Sequence, residues 1–344
     1  LLLTDVQRKQ GVIAASAGNH ALALAYHGHR LGIPVTVVMP VHAPLIKQVR
    51  CRQLGARIIL SGNDIGEAKT HAEAIIAKQG QRYIHGFDGP DVIAGQGTIG
   101  LELIEQVPDL DAVVCPIGGG GLIAGLSLAI KETKPNIRII GVQPDHCPSF
   151  IEALKAGEPV RVAATPTLAD GLGVPRVGDN AFAIARSRVD EVVSVAEENI
   201  ALAILRLVEL EKGVVEGAGA TPLAAFLAGK LAHLEGKRVA LMLCGGNIDP
   251  AVLGRVIEHG LVADGRLTRF TAYISDRPGG LQDFAAAVAS TGASIKQVEH
   301  ERAFSSVDIS RVQVLATVET RDHEHIEELH AALEARGMKV VARS

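Results

Sequence analysis

Short apolar runs alternate with helical patterns along most of this chain. Gly11 to Ala15 reads as a buried strand, Ser16 to His20 as a loop, and Ala21 to Leu31 as an alanine-rich helix. The same strand, loop and helix grammar recurs at Ile33 to Met39, Ala56 to Leu60, Arg82 to His85, Ala112 to Val114, Ile137 to Val142, Glu191 to Val195 and Arg238 to Leu243. The intervening helices are expected to end near Leu54, to cover Ile65 to Lys78, Gly97 to Gln106, Leu122 to Lys131, Ser149 to Ala156 and Ile200 to Lys212, and to close with Thr221 to Leu231. Continuous apolar strands separated by helices predict an α/β fold with parallel sheets covered on both faces, and such sheets gather ligands at the carboxyl ends of their strands. After about Asp264 the pattern changes. Leu267 to Ser275, Ala293 to His300, Val307 to Thr320 and Met338 to Ala342 read as strands, with helices at Gly279 to Thr291 and His323 to Arg336. That βαββαβ order is the ferredoxin-like arrangement, set off by a turn at Gly260 to Arg266. The expected domains are 1–84 (small α/β), 85–265 (large α/β) and 266–344 (the βαββαβ module).

Composition narrows the class. The 344 residues are 47% hydrophobic and 21% charged, with a net charge of −4, so no basic face predicts nucleic acid or an anionic membrane surface as a partner. No apolar run approaches the ~20 residues of a membrane span. Cys51, Cys115, Cys147 and Cys244 are widely spaced without a CxxC pair, which fits a reducing, cytoplasmic setting. The chain opens on Leu1-Leu2-Leu3 without an initiator Met, so an upstream segment is expected.

One stretch stands out. The run Ala112 to Val114 empties through Cys115-Pro116-Ile117 into Gly118-Gly119-Gly120-Gly121-Leu122 and a helix. Glycines at a strand-to-helix joint leave bare N–H groups at the positive end of a helix dipole, a cradle for phosphate. The sequence is not a GxxxxGK[ST] loop, and no acidic residue follows at ribose distance, so the owner of the phosphate stays open here. Other strand-end loops add chemistry. Ser16-Ala17-Gly18-Asn19-His20 can grip a carboxylate through its N–H groups and hydroxyl, or simply cap a helix. Gln96-Gly97-Thr98 reads as a helix start. Glu216-Gly217-Ala218-Gly219-Ala220, between two helices, sets one acid beside a surface flattened by small residues, or is a plain turn. Cys244-Gly245-Gly246-Asn247 brings a thiol to the same rim, or buries a structural cysteine. The thirteen histidines form no HExxH or ligand cluster, and no GxSxG appears.

In order, Ser16-Ala17-Gly18-Asn19-His20-Ala21, Ala94-Gly95-Gln96-Gly97-Thr98, Gly118 to Leu122, Ala169-Asp170-Gly171, Glu216-Gly217-Ala218-Gly219 and Cys244-Gly245-Gly246-Asn247 resemble the motifs of the fold type II pyridoxal phosphate enzymes, most closely the threonine dehydratases (threonine ammonia-lyases). The resemblance runs to about residue 264. It implies two α/β domains and a pyridoxal 5'-phosphate cofactor whose phosphate is held by Gly118, Gly119, Gly120, Gly121 and Leu122. It further implies that Asn19 bonds the ring hydroxyl, Glu216 lies beside the ring and Cys244 faces the pyridine nitrogen. Ser16, Ala17, Gly18, His20 and Gln96 are assigned to the substrate. A thiol cannot stabilise a pyridinium as an aspartate would, which favours β-elimination. The implied reaction removes the Cα proton and the β-hydroxyl of L-threonine or L-serine, giving a 2-oxo acid and ammonia.

The family's Schiff-base lysine sits in a Ser-Phe-Lys-x-Arg-Gly type segment, expected upstream of Leu1; Lys9, Lys47, Lys69 and Lys78 read instead as solvated charges. Where serine racemases carry a metal-binding Glu before Ala-Asp-Gly, this chain has Pro166, so no essential metal is expected. The C-terminal module resembles ACT-like regulatory domains, with Gly279, Gly280 and Leu281 placed to meet an amino acid effector or a partner domain. A homodimer or homotetramer is expected. The rival readings are a serine racemase and a non-catalytic amino acid sensor without the lysine.

Overall fold

The computed structural model describes residues 2–302 and 310–342. Its contacts gather into two compact units, Leu1–Ile200 with Gly213–Ile248, and Ala201–Lys212 with Asp249–Ser344.

The first unit holds two four-stranded parallel sheets. β1 (Val12–Ala15), β2 (Val35–Met39), β3 (Arg57–Leu60) and β4 (Arg82–Tyr83) pair in the order β3-β2-β1-β4, with α1 (Asp5–Gln10), α2 (Asn19–Leu31), α3 (Leu45–Gln53) and α4 (Ile65–Gln79). β5 (Ala112–Pro116), β6 (Arg138–Pro144), β7 (Glu191–Val195) and β8 (Val239–Leu241) pair in the order β7-β6-β5-β8. Their helices are α5 (Pro90–Gln106), α6 (Gly121–Thr133), α7 (Ser149–Ala156), α8 (Asp179–Ala185) and α10 (Gly217–Leu227), while α9 (Glu197–Leu210) belongs from Ala201 onward to the second unit. Every residue of β2 and of β5 is buried, as continuous apolar strands require. The second sheet has the larger core, where Phe150 and Phe182 meet edge to face at 5.6 Å among Ile117, Ile123, Leu126 and Ile139. Each such side chain contributes about 1.5–3 kcal/mol on burial.

Several expected boundaries move, each for a packing reason. α5 starts at Pro90 rather than Gly97, so Gln96-Gly97-Thr98 lies inside a helix instead of opening one. Glycines on both helices let α5 and α6 touch: a Cβ on Gly125 of α6 would stand 2.1 Å from the Ile93 carbonyl, and one on Gly100 of α5 2.9 Å from that of Leu126. α10 starts at Gly217 with Glu216 as its N-cap and ends at Leu227, so the Glu216 run opens a helix rather than linking two. β8 stops at Leu241, and Cys244 lies three residues beyond it. α1 and α8 were not anticipated in the sequence pattern.

In the second unit, α11 (Pro250–Ala263) runs through Gly260, which shortens the expected Gly260 to Arg266 turn; a Cβ on Gly260 would meet the Ala201 carbonyl at 2.9 Å. β9 (Leu267–Ser275), α12 (Gly280–Ser290), β10 (Ser294–Glu301), β11 (Arg311–Glu319), α13 (His323–Ala335) and β12 (Lys339–Ala342) follow in βαββαβ order. The sheet is antiparallel in the order β10-β11-β9-β12. Val312, Val314, Ala316 and Val318 alternate inward onto Phe270, Phe284, Leu329 and Leu333. Val307, Asp308 and Ile309 of the expected third strand lie outside the described residues.

Candidate active site

The carboxyl end of β5 and the start of α6 form a tightly packed backbone turn. Gly120 is the N-cap of α6 at φ 92°, a left-handed conformation that glycine adopts without strain. A Cβ on Gly119 would stand 2.3 Å from the ring of Phe87, one on Gly121 2.2 Å from the Phe87 carbonyl, and one on Gly118 3.1 Å from the Gly171 carbonyl. The glycine run is therefore pressed between the Phe87 loop and the Asp170–Leu172 turn, with no room for side chains. Among the described residues, none of the backbone N–H groups from Gly118 to Leu122 has a protein acceptor. Such a set at a helix N-terminus, on a buried backbone, is a cradle for an anion with several oxygens. Gln143, fully buried, steadies the approach to it: Nε2 donates to the Ile117 carbonyl at 3.2 Å, and Oε1 accepts from Phe150 N at 2.9 Å and Ile151 N at 3.1 Å.

A second cluster centres on Glu216, which is 5% exposed. Asn19, at the first position of α2, donates from Nδ2 to Glu216 Oε1 at 2.5 Å, and Asn247 N donates to Oε2 at 3.1 Å. Gly245, at φ 87°, accommodates this acid: a Cβ there would lie 2.0 Å from Glu216 Oε1. Burial pushes the Glu216 carboxyl up; the Asn19 bond opposes this, the charge of Asp170 adds to it, and the Asn247 N–H and Lys47 oppose it. Nearby, burial and then the charge of Glu216 push the Cys244 thiol up to about 11, so it stays protonated at neutral pH. The fully buried Cys115 of β5 is raised as well, by burial and then by Cys244.

The structure thus joins Asn19, Glu216, Asn247 and Cys244 into one neighbourhood. The small residues after Glu216 serve a purpose other than a flat face for a ligand: Cβ atoms on Gly217 and Gly219 would collide with the carbonyls of Leu168 and Cys244, both at 2.1 Å. They let α10 press against the protein's own loops. Ser16 and Gly18 bond locally, with Gly18 N donating to Ser16 Oγ at 3.3 Å. His20 is turned to the Ile84 carbonyl at 2.9 Å, and burial pulls its imidazole below the ordinary value while that hydrogen bond raises it. Gln96 packs against Gly125 of α6, and among the described residues no hydrogen bond ties its side chain to the Glu216 cluster.

Lys47 corrects its reading as a solvated charge. Its side chain is only 18% exposed, and Nζ lies 3.3 Å from Asp170 Oδ2. Phe87, Gln143 and Arg50 carry no motif and were missed by sequence reasoning. The one available signal is the rarity of aromatic residues, 3% of the chain, which singles out Phe87 two positions after His85, whose ring it meets edge to face.

Similarity to known proteins agrees with this geometry. The chain is 47% identical over 338 residues to the L-threonine ammonia-lyase of Thermotoga maritima, covering 98% of this chain and 84% of that one. It is 46% identical over 331 residues to the L-threonine ammonia-lyase of Geobacter sulfurreducens, covering 96% and 82%. Among solved structures, the processed form of threonine deaminase isoform 2 from Solanum lycopersicum aligns with a TM-score of 0.71 at 38% identity over 75% of this chain and 76% of that one. Maize serine racemase aligns at 0.70, with 34% identity over 76% and 80%. Residues 2–245 match the family model described as pyridoxal-phosphate dependent enzyme. The unbonded N–H groups of Gly118 to Leu122, the buried acid and the protonated thiol fit the phosphate and ring of that cofactor, and the chain belongs to the pyridoxal-phosphate dependent enzyme family.

Proposed function

We propose that the chain is a pyridoxal phosphate dependent ammonia-lyase that removes the Cα proton and β-hydroxyl of L-threonine, and of L-serine, to give a 2-oxo acid and ammonia. The observation that carries this reading is the pairing of an N–H cradle without protein acceptors with a neutral thiol, Cys244, beside the buried Glu216. The cofactor ring, when bound, supplies the electron withdrawal that acidifies the Cα–H. The chain's own groups do the rest. Gly118 to Leu122 hold the phosphate through main-chain N–H groups. Asn19 gives one amide hydrogen to Glu216 and keeps a second for the ring hydroxyl. Cys244 offers an uncharged S–H toward the ring nitrogen, so no positive charge is locked there and elimination is favoured over chemistry that needs a long-lived carbanion. Ser16 to His20 and Gln96 are assigned to the substrate side.

We further assign the C-terminal module an ACT-like regulatory role, with Gly279, Gly280 and Leu281 toward an amino acid effector. A cavity of about 420 Å³ lined by Ser275, Arg277, Gly280 and Arg311 supports that reading. Among the described residues no helix is long and apolar enough to cross a membrane. Four free cysteines fit the reducing cytoplasm, and a homodimer or homotetramer is the proposed assembly.

One preparation tests the set: full-length protein with its natural N-terminus, loaded with pyridoxal 5'-phosphate. Ammonia and 2-oxo acid should be released from L-threonine and L-serine. Absence of ammonia from both sinks the lyase, and D-serine formed from L-serine without ammonia, read by chiral chromatography, would make it a serine racemase. An unchanged rate and Tm with every free amino acid added would remove the effector role, and a monomeric mass by light scattering the assembly.

A further inference from the structure

Helix α3 carries two cations at helical spacing, Lys47 and Arg50; Lys47 reaches the turn between α7 and α8, and Arg50 the loop that follows β8. Lys47 Nζ lies 3.3 Å from Asp170 Oδ2, and Arg50 Nη1 donates to Asn247 Oδ1 at 3.4 Å. Residues three apart share one helix face, so a single face of α3 makes both contacts. The two partners sit on the loops that flank the site. Asp170 opens the turn that backs Gly118 of the cradle, where a Cβ would meet the Gly171 carbonyl and Leu172 Cα, both at 3.1 Å. Asn247 holds Glu216 Oε2 through its main-chain N–H. The other end of the Asp170 loop is already fixed, because Glu197 accepts from Thr167 Oγ1 and Leu168 N, each at 2.6 Å. Lys47 and Arg50 supply the remaining tie.

We propose that α3 is a clasp, in which Lys47 and Arg50 are positioning residues that hold the Asp170 turn and the Asn247 loop in place around Glu216. Asp170 is 64% exposed and Lys47 largely covered, so the pair can open from the carboxylate side without unfolding α3. A second consequence concerns charge. The groups facing Glu216 are the cation Lys47, the anion Asp170, the thiol Cys244, and the neutral donors Asn19 and Asn247 N–H. Lys47 favours the ionised acid and Asp170 disfavours it. Removing either breaks the same pair, yet the two removals move Glu216 in opposite directions. Mere loosening of the loops gives no such opposition.

The activity arm of the test rests on the lyase reading above; the structural arm does not. Hydrogen–deuterium exchange on the loaded full-length protein should show segments 168–174 and 244–249 exchanging about twofold to fivefold faster in Lys47→Met, the loss a half-covered ion pair produces. Lys47→Arg should restore wild-type exchange. In the pH profile of kcat/KM, Lys47→Met should move the limb due to Glu216 to higher pH, and Asp170→Asn should move it lower. Asp170→Asn breaks the same pair from an exposed position and carries the exchange measurement if Lys47→Met fails to fold. Unchanged exchange in both segments, or limbs shifted the same way by both variants, would overturn the clasp. A protein that releases no ammonia yet shows the exchange response keeps the clasp and loses the lyase.

Discussion

The two parallel sheets of the first unit are built to one plan, with the third, second, first and fourth strands side by side in each. The first strand is internal in both, and each delivers its carboxyl end to a loop and a helix N-terminus: β1 to Ser16–Gly18 and α2, β5 to Ile117–Gly120 and α6. The loops then part company. In the Ser16 loop a side chain takes up a backbone donor, with Gly18 N on Ser16 Oγ at 3.3 Å, while Ser16 N donates to the Val38 carbonyl of the neighbouring strand at 3.1 Å. The loop contributes one outward side chain, Asn19, to the neighbouring acid. The run from Gly118 to Gly121 has no side chains, and with Leu122 it leaves five N–H groups without protein acceptors among the described residues. Topology sets where a ligand can be met; the residues in the loop decide whether it is met by a side-chain amide or by bare backbone.

The sharpest way to break the comparison is one methyl group in each loop. Gly121→Ala drives a Cβ to 2.2 Å from the Phe87 carbonyl, and backbone cannot step aside as a flexible side chain would. We expect a cost of about 1–3 kcal/mol and loss of bound cofactor. Gly18→Ala, with nothing within 4 Å, should cost less than about 1 kcal/mol and retain cofactor. Thermal unfolding and cofactor absorbance per chain read both; equal losses would show that the loops are equivalent after all.

A smaller effect concerns Cys244 and its neighbour Glu216. With its thiol near 11 rather than the usual value of 9.0, Cys244 should react with iodoacetamide about 100-fold more slowly in the native protein at pH 7.5 than in the urea-unfolded chain. Glu216→Gln should speed it, because the charge of Glu216 is the second cause of the rise. Mass spectrometry of the Cys244 peptide gives both rates, and equal native and unfolded rates would contradict a protonated thiol.

The smallest effect lies in the first loop. Burial lowers the His20 imidazole below its ordinary value of 6.5, so between the two values the unfolded chain binds more protons and stability falls as pH drops below 6.5. His20→Gln should flatten that part of the acid limb, by less than about 1 kcal/mol, in urea unfolding from pH 7 to 5. His85 and His330, lowered by burial as well, keep the remainder. An unaltered limb in the variant would mean that His20 does not contribute.

Much of this was legible in the chain. Apolar runs separated by helices gave parallel sheets, and four glycines after β5 gave the anion cradle. The misreadings share one cause. Gly97 looks like the place where a helix begins, but it lies inside α5, where it lets that helix approach α6; Gly217 and Gly219 look like a turn, but α10 needs them to meet the Leu168 and Cys244 carbonyls. Lys47 looked solvated because its partner, Asp170, lies 123 positions away.

The sequence by itself determined the alternation of strands and helices, the change to a βαββαβ module near residue 265 and the motifs that resemble the family, because periodicity and glycine conformation act over a few neighbouring residues. Only the tertiary structure decided that Asn19 and Asn247 share Glu216, that Phe87 closes the back of the cradle and that Lys47 meets Asp170. Those contacts join residues far apart in the chain, and which polar group satisfies which is fixed only when packing excludes the water that would otherwise serve both.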